Sequence, residues 1–319
     1  MSAPRGVKPT WALVLAMNQL PLTRQCLTSV LALDPPADRV LLVDNGSTDG
    51  TAETVRLEFP AVEVMRLETN RYFAGGVNEG LRRALGQGAR SVLLLNNDVV
   101  LERPALGKLR QALEADPRLA AVSPKIYYFD VPDVIWFAGG EVGRRTGLIR
   151  HRGVNVKDEK LRDGPRDVEY VSLAAALLSS AAIESVGLLD PEYVMYVEDV
   201  DWGARARARG FRLGYEPSAK VWHHVSATSG GGLTPLKAYY RLRSGALYLS
   251  RHGTPWQRPL AWLAYLTWTK WLVTRSLIRG DTRSAKALLL GFFDFTWILL
   301  GFRPPARTPE SFAPPAPRR

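Results

Sequence analysis

Short apolar runs alternate with helix-like segments through the first third of this 319-residue chain. Strands are predicted from four of these runs, at residues 11–17, 39–45, 62–68 and 91–97. Helices are predicted from the segments that follow them, at 20–33, 50–59, 75–88 and near 104–115. The runs are continuously apolar, which is typical of strands buried on both faces. This alternation predicts an α/β fold, with a mostly parallel sheet covered by helices on both faces.

Composition limits the classes of protein to which the chain can belong. Hydrophobic residues make up 46% of it, which is enough for a substantial core and excludes a wholly disordered chain. The single cysteine, Cys26, excludes a disulfide framework and a cysteine-based zinc site, and it fits a reducing compartment. The N-terminal apolar run, Trp11 to Met17, has no small-residue cleavage pattern behind it, so we interpret it as a strand and not a signal peptide.

Charge and composition also predict how the chain is divided. The net charge is +11, and the segment from Leu236 to Arg303 holds eleven Lys and Arg against two Asp, a net of +9. We therefore expect an α/β domain over residues 1–235, a basic, Trp-rich helical region over 236–302 and a disordered, Pro-rich tail over 303–319. Residues 120–170 are rich in Gly, Pro and charge without a clear period, which predicts a long excursion lying over an active site.

The helical region contains two long apolar segments, 256–279 and 285–302, both rimmed by Arg and Lys. Lys270 and Asp294 interrupt them before either reaches the ~20 uncharged residues of a membrane span, so no span is expected. Amphipathic helices that carry Trp and basic residues are typical of a membrane interface with anionic lipid. The alternative is that both helices simply pack on the preceding domain.

Polar residues follow two of the predicted strands. Asp44 ends the second strand, where a carboxylate can accept hydrogen bonds from a nucleotide base or a ribose, although an ordinary strand–turn–helix corner is an equal alternative. Asn96, Asn97 and Asp98 end the fourth strand. The side chains of Asn96 and Asp98 point to the same side of an extended segment, and their oxygens suit Mg²⁺ or Mn²⁺. On these three residues alone, turn chemistry is the favoured interpretation.

Two further motifs are weaker when taken alone. Gly75 and Gly76 precede a predicted helix, where the backbone can approach a pyrophosphate, but a flexible loop is the simpler interpretation. His223 and His224 end a predicted strand, where a neutral imidazole can complete a metal site. A histidine pair is, however, more often part of a surface or a core than a pair of metal ligands.

Three carboxylates, Glu198, Asp199 and Asp201, lie beside Trp202. Adjacent carboxylates repel one another and an aromatic neighbour lowers the local polarity, so one pKa is expected to rise toward the range of a general base. The alternative is a helix N-terminus whose acidic residues complement the helix dipole.

Taken together and in this order, these motifs resemble the family 2 glycosyltransferases of the GT-A fold, especially the rhamnosyl- and galactofuranosyltransferase-like members. The resemblance covers roughly residues 11–250. The matching stretches are VDNGSTDGT (43–51), NRYFAGGVNEG (70–80), LLLNNDV (93–99), MYVEDVDWGARARARGFRL (195–213), AKVWHH (219–224) and YYRLRSGALYL (239–249). It implies a Rossmann-like sheet flanked by helices, followed by C-terminal amphipathic helices.

The resemblance also implies roles for residues at the nucleotide site. Asp44 would bind the nucleotide base, while Asn18 and the loop around Gly76 and Asn78 would help to hold the nucleotide.

Further roles concern the metal and the chemistry. Asn96 and Asp98 occupy the family's metal-binding triplet, with Asp98 as the expected direct ligand of Mn²⁺ or Mg²⁺. His223 matches the metal-binding histidine, and His224 is the second choice. Asp199 matches the general base of a single displacement with inversion.

The implied function is transfer of a sugar from a nucleotide-diphosphate donor to a hydroxyl of a glycan or polyprenyl-linked acceptor in cell-surface polysaccharide synthesis. dTDP-rhamnose is the donor expected for this subgroup, and the enzyme is expected on the cytoplasmic face of the plasma membrane as a peripheral protein. One rival is a non-catalytic relative that keeps the fold as a scaffold. A second is a nucleic-acid-binding protein, suggested by the pI of 9.9, but the sequence contains no recognised motif of that class and we expect no nucleic-acid partner.

Overall fold

The computed structural model describes residues 9–161, 163–225, 233–304, 307 and 309–312. Its chain forms two compact units. The first comprises residues 1–141, 151–192 and 198–228, and the second comprises 142–150, 193–197 and 229–319. The predicted boundary at residue 235 falls close to the last of these divisions, whereas the two short segments that belong to the second unit carry no signal in the sequence.

Thirteen strands, nine α-helices and two short 3₁₀ helices are present in the described ranges. The strands are β1 (Thr10–Ala16), β2 (Arg39–Asp44), β3 (Val62–Arg66), β4 (Ser91–Asn96), β5 (Val99–Leu101), β6 (Leu119–Tyr128), β7 (Val134–Phe137), β8 (Gly140–Val142), β9 (Ile149–His151), β10 (Val156–Lys157), β11 (Arg166–Asp167), β12 (Ala175–Ser179) and β13 (Arg212–His223). The helices are α1 (Leu20–Leu31), α2 (Thr51–Glu58), α3 (Tyr72–Gly86), α4 (Ala105–Ala115), α5 (Ser180–Val186), α6 (Glu198–Ala208), α7 (Pro235–His252), α8 (Gln257–Ile278) and α9 (Thr282–Leu299).

The predicted parallel sheet is confirmed in the first unit. β1 pairs in parallel with both β2 and β4, and β2 pairs in parallel with β3. β12 lies antiparallel between β4 and β6, and β13 pairs in parallel with β6 and antiparallel with β5. Every residue of β1 is buried, which explains its continuous apolar run. The sheet is therefore mixed, with a parallel half built by the four strands that the sequence predicts.

The register of the parallel strands brings their carboxyl ends to one edge. Leu15 lies opposite Asn96, and Ala16 lies opposite Asp44. The chain leaves β1, β2 and β4 at almost the same level, so the polar residues that follow these strands share one edge of the sheet. In an open α/β sheet, this is the edge where ligands bind.

β6 differs from the excursion predicted for residues 120–170. It is a ten-residue strand inside the sheet, although Pro124 and Lys125 lie in its middle. The pairing with β13 shifts register between Glu216 and Lys220, beside Pro124, and such an irregularity lets a proline enter a sheet. The buried Lys125 ammonium lies 2.7 Å from Asp158 Oδ1, so its charge is paired. Neither compensation is visible from local sequence.

Three helices form most of the second unit, where α9 packs against both α7 and α8. Trp262 Nε1 donates a hydrogen bond to Thr296 Oγ1 at 3.0 Å, which joins α8 to α9. Asp294 is buried on α9 and accepts a hydrogen bond from the Tyr239 hydroxyl of α7. Of the helices described, none combines the length and the apolar character required to cross a bilayer.

The predicted disordered tail, 303–319, lies largely outside the described residues. In its described part, Pro309–Phe312 forms a short 3₁₀ helix, and the Phe312 ring lies 4.8 Å from the Tyr239 ring. Disorder over the rest of this segment stays a prediction.

We expect Gly80→Ala to lower the free energy of unfolding by about 1–3 kcal/mol, because a Cβ at Gly80 on α3 would lie 2.4 Å from Leu13 Cδ1 and 2.8 Å from Val43 Cγ2. Gly86, near the end of the same helix, has open space around its Cβ position and supplies the control. Gly86→Ala should leave stability unchanged or raise it by up to about 1 kcal/mol. Equal effects of the two substitutions in urea unfolding would contradict the tight packing of α3 on the sheet.

Candidate active site

Asn18 fastens together the loops that follow β1 and β2. Its Oδ1 accepts a hydrogen bond from Thr48 N at 2.9 Å, and its backbone N–H donates to Ser47 Oγ at 2.7 Å. The Asn18 backbone has a φ of 57°, a left-handed conformation that asparagine tolerates better than most residues. The predicted nucleotide-binding residue thus shapes the loop beside Asp44 through its own hydrogen bonds.

Asp44 is fully buried at the end of β2. Its Oδ1 accepts a hydrogen bond from Ser47 N at 2.9 Å, which is the turn chemistry expected of a strand–turn–helix corner. Its Oδ2 is also buried, lies 3.9 Å from Arg66 Nε and has no hydrogen-bond partner among the described residues. Buried acceptors are nearly always satisfied in folded proteins, so an oxygen left without a hydrogen bond marks this corner as a candidate ligand site.

Gly76 lies inside α3, which begins at Tyr72 and not at Gly75 as predicted. A Cβ at Gly76 would lie 2.7 Å from Leu15 Cδ1 and 3.0 Å from Asn45 Nδ2. The absence of a side chain therefore lets the first turns of α3 approach the carboxyl edge of the sheet. A direct contact between Gly76 and a nucleotide stays a prediction.

The side chain of Asn78 is used within the protein. Its Nδ2 donates to the Leu189 carbonyl oxygen at 2.8 Å, and its Oδ1 accepts from Leu189 N at 3.0 Å. This buried amide holds α3 to the segment after α5. Its predicted part in nucleotide binding stays a prediction.

Asn45, which the sequence reasoning missed, fastens the start of α3. Its Nδ2 donates to Asn70 Oδ1 at 3.0 Å and to the Tyr72 carbonyl oxygen at 2.9 Å, while its Oδ1 accepts from Arg71 N at 2.9 Å. The available signal was its position directly after Asp44, at the end of a buried strand.

Asp98 and His223 come together because β5 pairs with β13, where His223 lies opposite Val99. His223 Nε2 lies 3.0 Å from Asp98 Oδ1, and both side chains are buried. The two atoms are close but are not aligned for a hydrogen bond, and neither of them, nor His223 Nδ1, has a hydrogen-bond partner in the described chain. Two ligands at about 2.1 Å from one ion and at right angles lie about 3.0 Å apart, so this pair fits a shared divalent cation.

His224 and Asn97 surround this pair but point elsewhere. The His224 ring stacks on Phe129 at a centroid distance of 3.6 Å, and its Nε2 lies 3.0 Å from Gln25 Oε1. Asn97 Nδ2 donates to Thr23 Oγ1 at 2.9 Å and so fixes the turn that carries Asp98.

Asn96 ends β4 at the same edge, and its backbone N–H donates to the Ala174 carbonyl oxygen at 2.9 Å. Within the described ranges, no three His, Cys, Asp or Glu side chains converge as a metal-binding group.

Glu198 and Asp199 begin α6. Asp199 Oδ1 accepts a hydrogen bond from Val200 N at 2.8 Å. The surrounding protein excludes water from most of both carboxyl groups and raises both pKa values above their usual range. The charge of Asp199 raises the pKa of Glu198 further, so Glu198 holds its proton while Asp199 ionises. Asp199 keeps a partly exposed surface, which suits a base that must be reached by a substrate hydroxyl.

Asp201, unlike Glu198 and Asp199, forms an ion pair in the part of the chain that the structure describes. Its Oδ2 lies 2.8 Å from Arg205 Nε, one turn along α6. The Arg205 guanidinium also donates to the carbonyl oxygens of Val186 and Leu188, each at 3.0 Å. The predicted acidic cluster therefore divides into a pair with raised pKa values and an ion pair that holds α6 to the end of α5.

An aromatic cluster that sequence reasoning missed extends from the Asp98–His223 pair toward Asp199. The Trp136 ring lies edge-on to both His223 and His151, each at a centroid distance of 4.7 Å, and His151 lies 6.2 Å from Tyr170. Burial and the charge of Asp199 raise the pKa of Tyr170. Trp136 and His151 fall in the segment predicted to lie over the site, but neither stands in a motif that would single it out.

Comparisons with known proteins identify the family and the fold of this chain. The model of the family described as "Glycosyl transferase family 2" matches residues 11–171. The N-acetylglucosaminyl-diphospho-decaprenol L-rhamnosyltransferase of Mycobacterium tuberculosis is 28% identical over 281 residues, which cover 82% of this chain and 91% of that protein.

Two solved structures are similar in fold. The mannosyltransferase PcManGT from Pyrobaculum calidifontis, in complex with GDP-Man and Mn²⁺, has a TM-score of 0.55 at 18% identity, over 92% of this chain and 88% of its own. GalNAc-T7 with UDP, GalNAc and Mn²⁺ has a TM-score of 0.57 at 14% identity, over 78% of this chain. The match covers 51% of the GalNAc-T7 chain, so the present chain spans about half of that protein.

Asp199→Asn should raise the free energy of unfolding at pH 7.5 by about 1–2 kcal/mol. A carboxyl group whose pKa is raised by folding favours the folded state while it is protonated, and this contribution is lost as the pH rises through the folded-state pKa. The gain should therefore disappear toward pH 4. Asp201→Asn is the matched control and should destabilise, because it leaves the Arg205 guanidinium without its anionic partner. Urea unfolding at pH 7.5 and pH 4 measures both variants. If the two substitutions change the free energy of unfolding at pH 7.5 in the same direction, the raised pKa of Asp199 is contradicted.

Proposed function

The chain belongs to glycosyl transferase family 2 and has the GT-A fold, and from that premise we propose that this glycosyltransferase acts with inversion. The proposed donor is a nucleotide-diphosphate sugar, and the proposed acceptor is a hydroxyl of a glycan or of a lipid-linked saccharide. The curated relative from M. tuberculosis is named for transfer of L-rhamnose in a decaprenol-linked context. This name supports rhamnose as the transferred sugar and a polyprenyl-linked acceptor for the present chain. The nucleotide that we propose to carry the rhamnose is dTDP.

The buried Asp98–His223 pair carries the proposal. Carboxylate oxygen and imidazole nitrogen together suit Mn²⁺ or Mg²⁺, and three of the pair's buried atoms have no hydrogen bond to satisfy them within the described chain. Asp98 and His223 would hold the ion, and Asn96 stands at the same edge beside them. When bound, a divalent cation neutralises charge on a departing diphosphate. With two protein side chains in place, the remaining ligands would be donor phosphates and water.

The corner at Asp44 supports nucleotide binding next to this pair. Asp44 Oδ2 offers a buried acceptor for a base N–H or a ribose hydroxyl, and Asn18 holds the loop that shapes the entrance. The register of the parallel strands puts both features at the edge that carries Asn96. A nucleotide could therefore extend from Asp44 toward the metal pair.

Asp199 supplies the proposed base. Its carboxylate removes the proton from an acceptor hydroxyl while that oxygen forms a bond to the anomeric carbon of the donor sugar. The bond between the anomeric carbon and the diphosphate oxygen breaks on the opposite side, and the electron pair leaves with the diphosphate. The raised pKa of Asp199 makes it a stronger base than an ordinary aspartate. Glu198, which stays protonated, leaves a single negative charge at this position.

A polyprenyl-linked acceptor would place the enzyme at a membrane surface. We propose a peripheral association with the cytoplasmic face of the plasma membrane, where nucleotide sugars are available. The basic, Trp-rich helices α8 and α9 support this location.

Calorimetric titration with UDP, dTDP and GDP, each with and without Mn²⁺, tests the donor site. We expect one nucleotide, dTDP, to bind tightly and to require the metal. Asp98→Ala and His223→Ala should each weaken this metal-dependent binding by about 10–100-fold. His224→Ala is the matched control and should retain it, because the His224 imidazole is engaged with Gln25 and Phe129.

Two results would contradict the proposed site. If the folded protein binds none of the three nucleotides, the chain is better described as a non-catalytic member of the family. If dTDP binds equally well without Mn²⁺ and to Asp98→Ala, the Asp98–His223 pair has no part in donor binding.

Asp199→Asn should lower kcat for sugar transfer by about 10²–10⁴-fold while dTDP affinity is unchanged. In the wild-type protein, kcat should fall as the pH drops through the raised pKa of Asp199, so the acid limb should lie above the usual aspartate value of about 3.9. Glu198→Gln is the control, since it replaces a carboxyl group that already holds its proton, and it should keep the acid limb in place. An Asp199→Asn enzyme with undiminished kcat would show that another group is the base.

A further inference from the structure

The exposed large apolar side chains of this protein are concentrated on its last two helices. The described chain exposes fifteen of them, and eleven lie between Trp256 and Phe302, so their distribution is far from even. Six of these eleven are Leu263, Trp271 and Ile278 on α8 and Leu289, Phe293 and Trp297 on α9. We refer to these six side chains as the α8–α9 apolar face. Scattered exposed apolar residues are ordinary, but a concentration of this kind marks an interaction surface.

The opposite faces of both helices are already occupied within the second unit. α8 buries Ala261, Tyr265 and Leu272 along one stripe, and the Tyr265 ring lies 4.6 Å from the Phe295 ring of α9. α9 buries its own stripe, including Gly291, whose Cβ position lies 3.0 Å from the Tyr239 carbonyl oxygen of α7. Packing inside this unit thus accounts for the inward stripes and leaves the α8–α9 apolar face outward.

The charges around the face have one dominant sign. Seven basic residues lie between Trp256 and Arg303, namely Arg258, Lys270, Arg275, Arg279, Arg283, Lys286 and Arg303. The two acidic residues there are occupied: Asp281 caps α9 by accepting from Ser284 N at 3.0 Å, and Asp294 is buried. The Arg275 guanidinium lies 5.3 Å from the Trp271 ring centroid, so a cation sits directly on the apolar face.

We propose that the α8–α9 apolar face docks the protein on a bilayer rich in anionic lipid, with both helices lying in the plane of the interface. Trp, Phe and Leu side chains would enter the boundary between headgroups and acyl chains, and the Lys and Arg side chains would reach the phosphates. A second copy of the chain fits less well, because two such faces would bring like charges together. The purpose of docking rests on the proposed function, because a lipid-linked acceptor lies in the membrane. The physical basis of docking is the α8–α9 apolar face itself.

Vesicle sedimentation of the full chain tests the docking surface without donor, acceptor or metal. Wild-type protein should partition onto phosphatidylcholine vesicles containing about 30% phosphatidylglycerol at least about tenfold more strongly than onto pure phosphatidylcholine. The double variant Trp271→Glu/Phe293→Glu should lose about tenfold or more of that binding. Both side chains are 56% exposed, so the substitutions leave the interior of the unit intact.

Leu57→Glu is the matched control, because Leu57 is 83% exposed and lies on α2 in the other unit. It should bind anionic vesicles as the wild-type protein does. Absence of wild-type binding to anionic vesicles would overturn the proposal, as would equal binding by the double variant. Light scattering that shows a dimer broken by the double variant would overturn it in favour of a second copy. Failure of sugar transfer alone would count against the proposed function and leave the docking surface standing.

Discussion

The register of β1 with its two parallel neighbours is the constraint on which the rest of the first unit depends. Leu15 lies level with Asn96, and Ala16 lies level with Asp44, so three loops begin together at one edge. β1 is buried along its whole length, and a slip of one residue would reverse the face to which every side chain points. The positions of Asn18, Asp44 and Asp98 thus follow from a register that the core enforces.

The parallel half of the fold could be predicted from sequence because its signals are local. Four apolar runs and the helical segments that follow them give β1–β4 and α1–α4, with ends that differ by a few residues. β6 could not be predicted in the same way. Its strand contains Pro124 and Lys125, which are tolerated only through an irregular pairing with β13 and a salt bridge to Asp158, and both are long-range contacts.

The individual residues of the candidate site could be predicted from the sequence, but their arrangement in space could not. Nothing in local sequence brings Asp98 to His223; the antiparallel pairing of β5 with β13 does so, and only the family resemblance joined the two in advance. Trp136 and His151 went unnoticed because aromatic residues in an aperiodic segment carry no chemical pattern. The hydrogen bonds between Asn78 and Leu189 likewise exist only in the folded chain.

The corner formed by Asn18, Ser47 and Thr48 has a consequence for the thermodynamics of ligand capture. Its loops are fastened to one another by hydrogen bonds of 2.7 and 2.9 Å within the protein itself. A ligand that enters there meets a backbone whose conformational entropy has already been lost during folding. The unfavourable entropy of association would therefore arise mainly from the freedom that the incoming molecule loses. A ligand with few rotatable bonds would lose less entropy on binding here than a flexible one.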